Sequence, residues 1–129
     1  ALTRWMDATG TAEWIDKESD MDLVAALAGS GPAYVYRFTD ALATAATRLG
    51  LPEDQAARMA LATVEGAAAL AVQADDDPGV LADRVASPGG STREGMNVLD
   101  ADERLVKLLT DVLEAARDRN GELARLVDA

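Results

Sequence analysis

Apolar residues recur at three- and four-residue spacings along most of the chain, which predicts helices separated by short Gly, Pro and Asp breaks. Residues 2–8 predict a short helix ended by Gly10. Residues 11–15, with Trp14, are β-branched and aromatic, the chain's one strand-like signal, and read as an extended entry toward Asp16. Ser19 or Asp20 then caps a helix over 21–28 with Leu23, Val24 and Leu27 on its apolar side. Gly29-Ser30-Gly31-Pro32 breaks it, with Ser30 placed to cap the next helix and Pro32 in its first turn.

That next helix runs to Leu49, with Gly50 as its C′ residue. Its polar positions, Arg37, Asp40, Thr44, Thr47 and Arg48, form one narrow stripe. Tyr34, Phe38, Leu42, Ala45 and their neighbours cover the rest, so the helix is expected to be buried on more than one side, as against a partner subunit. Pro52 opens a helix to about Ala74 whose small face (Ala56, Ala60, Val64, Ala67, Ala71) suits close packing, and Gly66 within it predicts a close backbone neighbour. Asp75-Asp76-Asp77 reads as a solvated turn rather than a metal cluster, and Pro78 opens a short helix to Val85. A short helix over 92–99, a capped turn over 100–102 and a final helix from about Glu103 complete the chain. Leu123, Leu126 and Val127 extend the last helix beyond Gly121, where a break or bend is expected. No internal repeat or low-complexity linker appears, and the expected fold is an all-α single domain over residues 1–129.

Composition narrows the chemistry. A net charge of −11 and a pI near 4.2 oppose binding to phosphate backbones, so no nucleic-acid partner is expected. With neither Cys nor His, thiol catalysis, disulfides, His acid–base chemistry and the usual zinc sites drop out, and no metal is expected. The absence of Cys fits a reducing compartment. No signal peptide or membrane-spanning apolar run is seen, so no membrane partner and a cytoplasmic location are expected. A first residue of Ala rather than Met is expected of a processed or excised piece of something longer.

The most informative stretch is Ala86-Ser87-Pro88-Gly89-Gly90-Ser91-Thr92-Arg93-Glu94-Gly95. A Pro-Gly-Gly turn enters a helix starting at Ser91 or Thr92, with Ser91 and Glu94 spaced as a capping box. The first N–H groups of that helix, its dipole and two hydroxyls would form an anion cup that accepts a carboxylate without a basic side chain. The same residues also read as a capped interhelical loop with no ligand. Gly29-Ser30-Gly31 is not a dinucleotide fingerprint, because Tyr34 stands at the third glycine position and no strand precedes it. Glu94 reads as a capping partner rather than a general acid, and Tyr34 and Tyr36 as core residues.

Residues 78–92, followed by Gly95 and Val98-Leu99-Asp100, resemble the signature of pyrroline-5-carboxylate reductases, and Ser30-Gly31-Pro32-Ala33-Tyr34-Val35-Tyr36 resembles that family's second hallmark. The Leu49-Gly50-Leu51-Pro52 corner and the entry over 11–16 are also similar, so the resemblance covers essentially the whole chain. Met96, where the family usually has Leu, Ile or Val, and Ala28, where it often has Ser, depart from the pattern.

The resemblance reaches only the family's second half. It implies a helical-bundle dimerisation domain like the C-terminal domain of 6-phosphogluconate dehydrogenase, with the Rossmann domain absent from this chain. It further implies NAD(P)H-dependent reduction of 1-pyrroline-5-carboxylate to L-proline, the last step of proline biosynthesis. NADPH or NADH would serve the full-length oxidoreductase, with none bound by this domain, which alone would be inactive. Ser87, Gly89, Gly90, Ser91 and Thr92 would bind substrate. The N–H groups of Ser91 and Thr92 and the Ser87 hydroxyl would hold its carboxylate, and the catalytic Thr92 would orient the ring nitrogen. A homodimer is implied, with higher assembly open. The alternatives are an inactive stand-alone dimerisation module and a reductase of another cyclic imine.

Overall fold

The computed structural model describes residues 3–6, 12–15, 17 and 20–128. Strands β1 (Thr3–Met6) and β2 (Ala12–Ile15) form an antiparallel hairpin in which Thr3 faces Ile15 and Met6 faces Ala12. Where a helix is expected over residues 2–8, the described residues Thr3–Met6 are therefore a strand. Across the hairpin Arg4 pairs with Trp14 and Trp5 with Glu13, so the extended, aromatic β2 segment recruits the preceding residues as its partner. The expected stop at Gly10 and cap at Ser19 lie outside the described residues.

Six α-helices follow: α1 (Met21–Val24), α2 (Gly31–Arg48), α3 (Glu53–Gln73), α4 (Pro78–Val85), α5 (Ser91–Asp100) and α6 (Arg104–Asp128). Apart from the hairpin the fold is helical, as the periodicity requires. The helix expected over 21–28 is shorter than predicted, because Ala25–Gly29 widens into a π turn closed by the Ser30 N–H on the Ala25 carbonyl at 3.0 Å. Helix α2 ends in a Schellman motif: Gly50 at φ 118° donates to Thr47 O, and Leu51 donates to Ala46 O. Only a residue tolerant of positive φ closes that motif without strain, which is the role read for Gly50.

The chain divides into two compact units. The first combines the described residues up to Val35 with those from Leu105 onward. In it the Asn120 side-chain amide donates to the Asp22 carbonyl at 3.1 Å, joining α6 to α1. Helix α6 is continuous through Gly121, contrary to the expected break. A Cβ at Gly121 would lie 3.3 Å from Asp22 Oδ2, so the glycine marks the close approach to α1 rather than a helix end. Among the described residues, the first unit buries Ile15 and Ala26.

The second unit, Tyr36–Arg104, holds most of α2 together with α3, α4 and α5. Its buried residues are Ala56, Ala60 and Ala86, all small. The alanine face of α3 is buried only at its N-terminal end, and Ala67 farther along is exposed. No atom of the described residues lies within 4 Å of a Cβ built at Gly66, so the close neighbour expected there is not supplied by the described chain. A turn over Ala101–Glu103 links α5 to α6, with Asp102 at φ 55° and Glu103 at φ 53° in the left-handed region. Asp76 pairs with Arg84 across the acidic turn, and no group of carboxylates able to hold a metal gathers among the described residues.

Candidate functional site

Helix α4 ends at Val85, and Ala86 (1% exposed) turns the chain inward under the following loop. Pro88 fixes φ at the first corner of the turn and Gly89 takes φ 75° at the second, the arrangement of a type II turn. The turn closes through the Gly90 N–H on the Ser87 carbonyl at 3.1 Å. Gly90 is the N-cap of α5, with extended φ −84° and ψ 167°. Ser91 therefore stands at N1, not at the cap, and the expected Ser91–Glu94 capping box is not formed. The reason is the turn itself: it brings Gly90 to the position where the first helical bond starts, from the Glu94 N–H to the Gly90 carbonyl at 3.2 Å.

This shift by one residue leaves the N–H groups of Ser91, Thr92 and Arg93 without intrahelical acceptors. No side chain caps them. They point outward from the N-terminus of a ten-residue helix, where the dipole favours negative charge. A Cβ at Gly90 would lie 2.9 Å from Ser87 Oγ and 3.3 Å from Ser87 O, so the absence of a side chain there lets the Ser87 hydroxyl lie against the helix start. The structure thus brings Ser87, Gly89, Gly90, Ser91 and Thr92 into one corner, with all but the half-buried Gly90 exposed.

The hydroxyl groups show which residues are committed to structure. Thr47, Thr63 and Thr110 each donate to the carbonyl four residues earlier, at 3.0, 2.7 and 2.7 Å. Thr92, at the second position of α5, has no helical carbonyl one turn before it, and its hydroxyl makes no hydrogen bond among the described residues. The same holds for Ser87 and Ser91. Three hydroxyls without a hydrogen bond and three N–H groups without helical acceptors thus lie, among the described residues, within the single turn and helix start of residues 87–93.

Arg93 carries a role in this corner that the sequence pattern did not single out. Its Nε and Nη2 donate to the Ala86 carbonyl at 3.2 and 2.9 Å, and Nη2 also meets Asp83 Oδ1 at 3.2 Å. The only sequence cue was a basic residue ten positions after an acidic one across a predicted turn. A second concavity lies between α3 and α4, a groove of about 730 Å³ lined by Ala67, Leu70, Ala71, Leu81 and Val85 among others. Its lining is mostly apolar, with Gln73 and Arg84 the polar exceptions, and includes none of residues 87–92.

The helices of this domain leave Phe38 and Leu42 on α2 exposed among the described residues, and by family it is a dimerisation domain. The family profile described as pyrroline-5-carboxylate reductase dimerisation matches residues 18–123. The pyrroline-5-carboxylate reductase of Pseudomonas aeruginosa is 38% identical over 119 residues, 92% of this chain and 43% of that enzyme. A solved structure of the Coxiella burnetii pyrroline-5-carboxylate reductase superposes with a TM-score of 0.79 at 38% identity, over 84% of this chain and 40% of the other. The Plasmodium falciparum pyrroline carboxylate reductase with NADP bound superposes with a TM-score of 0.74 at 33% identity, over 81% of this chain and 39% of the other. The chain belongs to the pyrroline-5-carboxylate reductase dimerisation family, and it spans about two fifths of the length of the relatives it matches.

Proposed function

We propose that residues 1–129 serve as the dimerisation and substrate-binding domain of a cytoplasmic reductase that converts 1-pyrroline-5-carboxylate to L-proline, the closing step of proline biosynthesis. The observation that carries this reading is the α4–α5 corner, where free N–H groups and unpaired hydroxyls meet at a helix start inside the family's signature. The substrate carboxylate lies against the Ser91 and Thr92 N–H groups and takes a hydrogen bond from the Ser87 hydroxyl. Gly89 supplies the positive φ of the turn, and Gly90 keeps the approach open. The Thr92 hydroxyl meets the ring nitrogen and sets the face of the C=N bond. A protonated imine already carries its activating proton, which suits a site without His or Cys.

NADPH or NADH is the reductant of this reaction. Supporting a dinucleotide site elsewhere, Gly29-Ser30-Gly31 joins a π turn to a helix rather than following a strand. The reductant is therefore assigned to residues outside this domain, and the chain's own part is to bind and orient the imine.

The domain also pairs with a second copy of itself. Supporting this are Phe38 (51% exposed) and Leu42 (39%) on α2, together with the apolar α3–α4 groove. No helix among the described residues is long and apolar enough to cross a membrane, so these faces are not a bilayer span. The deciding experiment is oxidation of NADPH or NADH by the whole reductase carrying this domain, supplied with pyrroline-5-carboxylate or with a six-membered cyclic imine acid. Turnover of the five-membered acid is expected. Turnover of the larger ring alone would leave the carboxylate cup and overturn the substrate.

A further inference from the structure

We propose that Arg93 is a positioning residue that holds the substrate-carboxylate cup in register. This rests on the reading of residues 87–92 as that cup. Arg93 sits at the third position of α5, where a cation opposes the helix dipole, so propensity does not account for it. Its contacts do. The carbonyl of Ala86 is left over at the C-terminus of α4, and the guanidinium donates to it twice, at 3.2 and 2.9 Å. Asp83, on the last full turn of α4, accepts from the same Nη2 at 3.2 Å and offsets the charge.

The two ends of this clamp are Ala86 and Arg93, and between them lie the six residues from Ser87 to Thr92. Ala86 is 1% exposed and the Arg93 side chain 29%, so the base of the turn is closed away from most solvent. Clamping that base sets how far Ser87 Oγ stands from the Ser91 and Thr92 N–H groups, the spacing a carboxylate has to match. The planar guanidinium presents two donors to one carbonyl and keeps a contact to the carboxylate. Lysine, a single point charge on a flexible stem, cannot reproduce that fork. Because Asp83 neutralises Arg93, the cup attracts its ligand through N–H donors, and Arg93 contributes geometry rather than a direct contact.

The test is steady-state kinetics of Arg93→Met and Arg93→Lys in the whole reductase, with amide hydrogen exchange over residues 86–94. Arg93→Met is expected to raise KM for pyrroline-5-carboxylate about tenfold, with kcat within about threefold and KM for the dinucleotide unchanged. Arg93→Lys is expected to recover part of that loss, and exchange is expected to quicken in the turn alone. Unchanged KM and exchange in Arg93→Met would overturn the proposal. So would an equal rise in both KM values with faster exchange throughout, or full recovery by lysine, which would make charge sufficient. A wild-type reductase that does not turn over pyrroline-5-carboxylate while reducing another cyclic imine acid fails the substrate reading alone, and the same KM comparison with that acid then decides Arg93.

Discussion

In the corner between α4 and α5 the chain closes its own structure, whereas along α2 and α3 it leaves large apolar surface open. The Ala86 carbonyl is buried and bonded to Arg93, the Ser87 carbonyl accepts from Gly90, and Gly89 takes the one backbone conformation that the turn demands. On α2, by contrast, Tyr36 is 71% exposed and no residue of the helix is buried. Short-range hydrogen bonds build the first region, and a residue window of about ten suffices. Burial must build the second, and the only residues of α2 and α3 that are buried among the described residues are the small Ala56 and Ala60. The difference teaches that the α4–α5 corner is self-organised, while the apolar faces of α2 and α3 find no cover among the described residues and are the faces the proposed pairing would bury.

The hardest blow to this comparison falls on α2. Phe38→Asp on a free surface would change little, but across a dimer it places a charge in each of two buried faces. Dissociation is expected to worsen by roughly 3 kcal/mol or more, over a hundredfold in Kd, and sedimentation equilibrium should show monomer. An unchanged dimer would mean that this face is not the interface. Next in size is Thr92→Ala, expected to lower kcat/KM by about 1 to 3 kcal/mol, roughly ten- to a hundredfold, without moving the dimer equilibrium. Turnover at the wild-type rate would falsify the role given to its hydroxyl.

Gly89→Ala tests the corner's self-sufficiency. At φ 75° a Cβ costs about 1–2 kcal/mol, so thermal unfolding should move down by several degrees. No shift would show that the turn re-forms another way. The smallest effect is the most discriminating. Gly66→Ala meets open space among the described residues and would stabilise an uncovered helix by about 0.5–1 kcal/mol. If a partner helix approaches there, the methyl instead weakens the dimer, and the sign of the change in Kd reads out which surface is covered.

Much of this was legible beforehand because its causes are local. Gly50 closing α2, Pro52 and Pro78 opening their helices, and the Pro-Gly-Gly turn all follow from φ restrictions on single residues. The fold class and the corner's position were legible for the same reason. The errors have a common origin as well. The capping box moved because a turn bond at Gly90 set the helix start one residue earlier, and the N-terminal helix gave way to a hairpin because β2 offered a pairing partner. Gly121 was read as a break, yet it serves an approach to Asp22 from a distant part of the chain. The Arg93 clamp could not be read from spacing alone, since two donor contacts require the guanidinium plane to meet one particular carbonyl.

Periodicity and turn chemistry thus determined a helical domain and the place of the turn between α4 and α5, and the absence of His and Cys removed imidazole and thiol chemistry from the chain. Tertiary structure alone decided which residue caps α5, which side chain locks the turn, and that the apolar faces of α2 stay uncovered among the described residues. The reason is range. A φ preference or a missing donor acts within a few residues and is written in them, whereas burial and the aim of a long side chain depend on what the rest of the fold brings alongside.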